Sequence, residues 1–111
     1  MSLTSDIIRG HTEAIILAQL LDHDSYGYEI NKAIRDRTDG AYEAKEGTLY
    51  TAFRRLEQAG QIRSYWGDET SGARRRYYAI TEEGRKVFDQ HREEWDRAKT
   101  MIDALIRREE Q

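Results

Sequence analysis

Arg54 lies one helical turn beyond Tyr50 and Thr51, on a stretch whose opposite side is apolar. A guanidinium so placed can pair bidentately with guanine O6 and N7, a contact that discriminates against the wrong base by roughly 1–3 kcal/mol. Thr48 and Thr51 offer hydroxyls to a base or a phosphate, and Lys45 adds charge at the start of the stretch. Tyr50 sits beside Leu49 and has two open roles, contact with DNA or packing against the neighbouring ribbon. Further on, Arg74, Arg75 and Arg76 open a second basic segment. In an extended strand they alternate, so Arg74 and Arg76 share a face with Tyr78 and Ile80, and Arg75 shares the other with Tyr77. Arg74 and Arg75 are expected at phosphates. The competing reading of the triplet is an edge strand guarded by charge against aggregation.

Trp95 is the one other residue that suggests a ligand. It lies between His91 and Ala98 on an apolar seam, where an indole beside a small side chain leaves room for a flat molecule. Ala14, Leu17 and Ile102 are expected as walls of that slot, with Glu13 and Lys99 at its rim. The plainer reading is that Trp95 only packs a dimer interface. Enzyme chemistry has little to stand on. The chain has no cysteine, so disulfides, thiolate nucleophiles and the usual zinc-finger ligands are excluded. His11, His23 and His91 are scattered, and His91 with Glu94 makes at most half a metal site. Serines and acids form no recognisable triad, and no glycine-rich phosphate loop is present. No catalysis, metal or cofactor is expected.

These groups need elements to hold them. Apolar residues from Thr4 to Leu21 recur at helical spacing and predict a first helix, broken by Asp22, His23 and Asp24. Ser25 is the expected N-cap of a second helix running to about Thr38, with Ile30, Ala33 and Ile34 inward and Gly40 as its stop. A third helix is predicted from about Glu46 to Ala59. Leu49, Phe53 and Leu56 form its buried side, and Gly60 supplies the left-handed position after its end. A strand over 62 to 67, a tip at 68 to 73 and a return strand over 74 to 80 make a ribbon. Thr81 is the expected cap of a last helix continuing past Ile106, with Glu82 and Glu83 at its positive end. Phe88, His91, Trp95, Ala98, Ile102 and Leu105 repeat as a heptad seam along it. So long a seam needs a cover, and a second copy of the chain is the expected one.

At 111 residues, 35% of them charged, the chain suits one small soluble domain with a modest core, for which a partner subunit is reasonable. No stretch is apolar enough to span a bilayer, and the N-terminus lacks a signal-peptide core, so a cytoplasmic protein without membrane association is expected. The net charge of −3 looks wrong for a DNA binder until it is divided along the chain. Residues 44 to 80 carry 7 basic and 4 acidic side chains, whereas the segments on either side are net negative. Phosphates respond to that local field, because salt screens charges beyond about 8 Å.

The order of helices, ribbon and long helix resembles a winged helix-turn-helix. Residues Tyr26-Gly27-Tyr28-Glu29-Ile30, Gly47-Thr48-Leu49-Tyr50, Arg54-Arg55-Leu56-Glu57, Gly60, Arg75-Arg76-Tyr77-Tyr78 and Thr81-Glu82-Glu83-Gly84 together resemble the PadR family of bacterial transcriptional regulators. Ser64-Tyr65-Trp66-Gly67-Asp68-Glu69 and Glu94-Trp95 are similar to its short-chain, LmrR-like multidrug-binding branch. The resemblance implies a mainly α fold with a small two-stranded β wing. Residues 1–80 would form the DNA-binding region and 81–111 a C-terminal dimerisation helix, all within one compact domain. It implies a homodimeric repressor on a pseudo-palindromic double-stranded DNA operator, released by a planar aromatic effector stacked at Trp95. Lys45 stands where many relatives have a capping serine, and Thr51 where many have proline. Arg92 and Lys99 make the surroundings of Trp95 more basic than in the multidrug binder. A second reading keeps the winged-helix shape as a dimerising protein-interaction module that does not read DNA, and Glu46 and Glu57 on the third helix, with the net negative total, permit it.

Overall fold

Gly10 interrupts what the sequence reads as a single first helix. In the computed structural model, which describes residues 2–68 and 74–107, α1 spans Leu3–Arg9 and α2 spans Thr12–Gln19. The break has a local cause. Glycine is a poor helix former, and the hydroxyl of Thr12 donates to the Arg9 carbonyl at 2.7 Å, competing with the helical ladder. His11 N–H bonds Ile8 O at 2.9 Å, a tighter turn than an α-helix makes. The break also changes the phase of the apolar residues. Ile16, Leu17 and Leu20 enter the core, whereas Ile7 stays 48% exposed.

Ser25 does not cap the next helix. It lies in a short strand β1, Ser25–Tyr26, where its buried hydroxyl donates to Glu29 Oε1 at 2.5 Å. Helix α3 follows over Gly27–Arg37, and Tyr26 stands at its N-cap without a side-chain capping bond. Asp39 and Gly40 turn the chain with φ of 51° and 79°. Asn31 then clamps the following loop, donating to Ala44 O at 2.9 Å and accepting from Ala44 N–H at 3.1 Å. That clamp fixes where α4, Glu46–Gln58, begins. Lys45 at its N-cap makes no side-chain capping bond.

Leu49, Ala52, Phe53 and Leu56 bury one side of α4 against Ile16, Leu17 and Leu20 of α2, Ile30 and Ile34 of α3, and Ile62 and Tyr78 of the sheet. Strands β2, Ile62–Trp66, and β3, Arg76–Ile80, pair antiparallel with Ile62 opposite Ile80 and Trp66 opposite Arg76. The expected two-stranded ribbon gains a third member, because β1 pairs with β3 on its other side, Ser25 opposite Tyr78. Of the predicted hairpin tip, residues 69 to 73 lie outside the described residues. Helix α5, Glu82–Ile106, has 25 residues and a length of about 37 Å at 1.5 Å per residue. It ends at Ile106 rather than running past it. No helix among the described residues is long and apolar enough to cross a membrane.

The joint between sheet and α5 is sharply specified. Thr81 Oγ1 accepts from Gly84 N–H at 3.1 Å and donates to Gly60 O at 2.6 Å. Gly84 lies so close to the preceding chain that a Cβ there would sit 2.1 Å from Gln61 O. Gly84→Ala is therefore expected to lose about 1–3 kcal/mol in urea unfolding at fixed protein concentration, the usual cost of overpacking that moves backbone. Gly47, in α4, has open space around its would-be Cβ, so Gly47→Ala should instead gain roughly 0.5–1 kcal/mol. Equal midpoints for the two variants would contradict this reading of the joint.

Candidate nucleic-acid interface

The side of α4 turned away from the core carries Lys45, Tyr50, Thr51 and Arg54, all exposed, with Thr48 half-buried beside them. Arg54 forms no ion pair or hydrogen bond among the described residues, so its guanidinium is available to an outside acceptor. The Tyr50 ring lies edge-on to Phe53 at 6.1 Å and remains 52% exposed, close enough to Tyr78 of β3 to act on it electrostatically. Phe53 carries the packing to the sheet by stacking on Tyr78 at 4.1 Å. Burial holds the Tyr78 phenol above its ordinary pKa, so it stays neutral beneath the basic surface. Arg55 turns sideways to Glu13 of α2 at 3.9 Å.

The three wing arginines divide between two faces, as strand alternation requires. Arg74 and Arg76 lie over Trp66, with guanidinium carbons 5.7 and 5.6 Å from the ring centroid. Arg75 lies on the other face, 4.7 Å from the Tyr26 centroid. That face also stacks Tyr65 on Tyr77 at 5.7 Å, and Tyr65 donates to Asp24 Oδ2 at 2.5 Å, a bond that holds the Tyr65 phenol above its ordinary pKa. Arg74 and Arg75 can both meet one backbone only if it passes the ribbon edge-on near the tip. Arg76, although exposed, is tied to side chains of its own chain. It donates to Ser64 Oγ at 2.8 Å and lies 3.6 Å from Glu57 Oε2, while Ser64 donates to the same carboxylate at 2.6 Å. This network ties the wing to α4. Strand alternation puts Ser64, Trp66 and Arg76 on the α4 side, but the reach of Glu57 across the turn has no signal in the sequence.

Around Trp95 the arrangement differs from the expected one. A largely apolar groove of about 320 Å³ runs between α1, α2 and α5, and Ala14 and Trp95 both line it. Leu17, three residues on along α2, does not, because it is buried in the core. Glu13 faces a separate cleft of about 960 Å³, which Lys45, Thr48, Thr51 and Arg55 also border. Lys99 and Ile102 lie farther along α5, beyond the groove, and Lys99 pairs with Asp96 at 3.4 Å. Ile7, Ile8, Ile15 and Arg92 complete the groove in their stead.

The seam of α5 is divided as well. Phe88 packs against the core of its own chain, and His91 binds His11 of the α1–α2 turn at 2.9 Å, ring nitrogen to ring nitrogen. Ala98 is half-buried, whereas Trp95, Ile102 and Leu105 are 38%, 50% and 84% exposed. His11 also meets Trp95 edge-on at 4.9 Å. Its sequence position gives no hint of this, since the contact depends on how α2 crosses α5. Among the described residues no three His, Cys, Asp or Glu side chains gather as a metal site would need.

Burial and the neighbouring His91 hold His11 below its ordinary pKa of 6.5. The unfolded chain therefore binds more protons at this residue than the folded one. The contact's contribution to stability is present above about pH 6.5 and is lost as pH falls through the folded-state value. Cooling of the melting temperature between pH 7.5 and 5.5 should shrink in His11→Gln, and an identical pH response in that variant would contradict the assignment.

The sequence profile of the transcriptional regulator PadR-like family matches residues 16–90. The chain is similar to a transcriptional regulator from Clostridium thermocellum, with 51% identity and a TM-score of 0.87 over 96% of this chain and 100% of that one. A PadR family transcription regulator from hypervirulent Clostridium difficile is 35% identical, with a TM-score of 0.75 over 88% of this chain and 100% of that one. An uncharacterised protein of Lysinibacillus sphaericus is 46% identical over 102 residues, covering 92% of this chain and 94% of its own.

Proposed function

This chain belongs to the PadR-like family of transcriptional regulators, and on that premise we propose that it is a homodimeric repressor whose two α4 helices read a pseudo-palindromic operator. Each α4 enters a major groove, with Thr48, Tyr50, Thr51 and Arg54 toward the bases and Lys45 toward the backbone. Arg74 and Arg75 meet phosphates beside it. The single observation that carries the proposal is the exposed, unpaired Arg54 side of α4 on a protomer whose α5 leaves Ile102 and Leu105 uncovered. An apolar stripe of that kind calls for a partner, and a second α5 supplies a matching one. The resulting two-fold axis would set the two α4 helices one DNA turn apart, about 34–36 Å. Phosphate contacts then supply salt-dependent affinity, and the α4 side chains supply sequence preference.

Release of the operator follows from the Trp95 groove. A planar aromatic ligand stacked there presses on His11 and His91, which border both this groove and the cleft beside Lys45, Thr48 and Thr51. A ligand that binds more tightly to the geometry unable to span both half-sites lowers operator affinity by the ratio of its two affinities, typically 1–3 kcal/mol of coupling. The alternative, a protein-interaction module that does not read DNA, loses one of its supports. Glu57 is turned to Ser64 and Arg76 and does not present its charge to an incoming backbone.

The test is selection of bound fragments from the organism's genomic DNA, followed by footprinting and titration with flat aromatic compounds. The proposal expects two protected half-sites about one helical turn apart, and release accompanied by quenching of Trp95 emission. No preference among fragments would overturn DNA reading. Operator binding indifferent to every aromatic compound that quenches Trp95 would overturn the switch.

A further inference from the structure

Trp66 ends β2 with 53% of its surface exposed, beside two arginines of the neighbouring strand. Its partner across the ladder is Arg76, and Arg74 is the diagonal neighbour on the same face. Both guanidiniums lie within 6 Å of the ring centroid, at 5.6 and 5.7 Å. Their other contacts separate them. Arg76 is committed to Ser64 and Glu57. Arg74 has no carboxylate partner among the described residues, so its positive charge is not neutralised by any of them.

We propose that Trp66 is the positioning residue of the wing, a π platform that holds the Arg74 guanidinium ready for a phosphodiester of the operator backbone. Stacking uses the face of a guanidinium and leaves its N–H donors free around the edge, which is where a phosphate oxygen must approach. A free arginine near a hairpin tip would lose much rotamer freedom on binding, and the platform removes part of that loss beforehand. Arg76 steadies the platform as its second cationic neighbour. Gripped by Ser64 and Glu57, it fixes the indole relative to α4, so the phosphate contact keeps register with the base contacts. This role rests on the DNA-reading proposal.

The test measures equilibrium binding of the full chain to a genomic fragment that it selects. Trp66→Ala should weaken binding about 5- to 30-fold, since each of two wings loses a contact of the strength of an exposed cation–π pair. In an Arg74→Ala background, Trp66→Ala should add no further loss, because the indole acts through that arginine. Trp66→Phe should bind like the parent chain, and Trp66→Leu, comparable in bulk to a small apolar filler but without a π face, should bind like Trp66→Ala. An equal loss from Trp66→Ala with and without Arg74 would overturn the proposal in favour of direct insertion or a purely structural part. Full binding by Trp66→Leu would overturn it too. Failure of the parent chain to select any fragment would instead overturn DNA reading itself, and the platform with it.

Discussion

Ile102→Asp combined with Leu105→Asp yields a monomer whose operator affinity falls by at least about 100-fold. The size of the effect comes from two sources. In a dimer, binding of the first α4 makes binding of the second intramolecular, and that linkage alone is worth roughly 10²–10⁴ in affinity. Carboxylates introduced into a paired apolar seam face desolvation without partners, which opposes association strongly. The protomer itself should survive the change. Ile102 and Leu105 are 50% and 84% exposed and take no part in the core built on Leu17, Phe53 and Leu56. Circular dichroism should keep its helical signal while sedimentation shifts to the mass of a single chain. A variant that stays dimeric would mean that α5 is not the joint, and one that binds as a monomer with undiminished affinity would mean that the joint is not needed.

Arg54→Ala produces a loss of a different kind. A bidentate guanine contact discriminates by roughly 1–3 kcal/mol, and a symmetric dimer makes it twice, so a selected operator should be bound about 30- to 10⁴-fold more weakly. Non-specific DNA should be bound almost as before, which collapses the ratio between specific and random sequence. Arg74→Ala should do the reverse. It weakens every duplex to a similar degree and lowers the salt slope by about 0.9 for each phosphate contact removed. Competition binding at several salt concentrations separates the two patterns. Equal weakening of specific and random DNA by Arg54→Ala would remove it from the bases and make it another phosphate ligand.

Helices α4 and α5 are legible in the sequence. Leu49, Phe53 and Leu56 recur at one helical face, and Gly60 adopts the positive φ of 74° that a helix end of this kind wants. Thr81 caps α5 through Gly84 N–H, a local contact that local sequence can signal. What escaped the sequence depends on long-range placement. Ser25 has the composition of a cap, yet pairing with Tyr78 draws it into a strand. The break at Gly10 is a small local preference with a large consequence. It takes α1 out of phase with α2, leaves Ile7 exposed and puts His11 in the turn where it reaches His91. Continuous periodicity from Thr4 to Leu21 conceals that change of phase, so the walls of the groove were only partly foreseen. Glu57 shows the same limit. As a helix-surface acid it argues against DNA, and only its contact with Ser64 and Arg76 reveals a brace for the wing.

On the proposed function, the groove and the exposed side of α4 are coupled through residues that the two cavities share. His11 and His91 form a thin partition, with the apolar groove on one side and the cleft bordered by Thr48 and Thr51 on the other. Partition and platform are both short-range devices, each built from two or three side chains on different elements. On the proposed function, they act on DNA only if two protomers are held at a fixed separation.

Sedimentation velocity of the full chain at micromolar concentration, alone and with a genomic duplex that it selects, tests that requirement most directly. The account predicts a free species of twice the 13.0 kDa chain mass and one such pair on each duplex. A free species of single-chain mass that loads onto the duplex one copy at a time, without cooperativity, would contradict it.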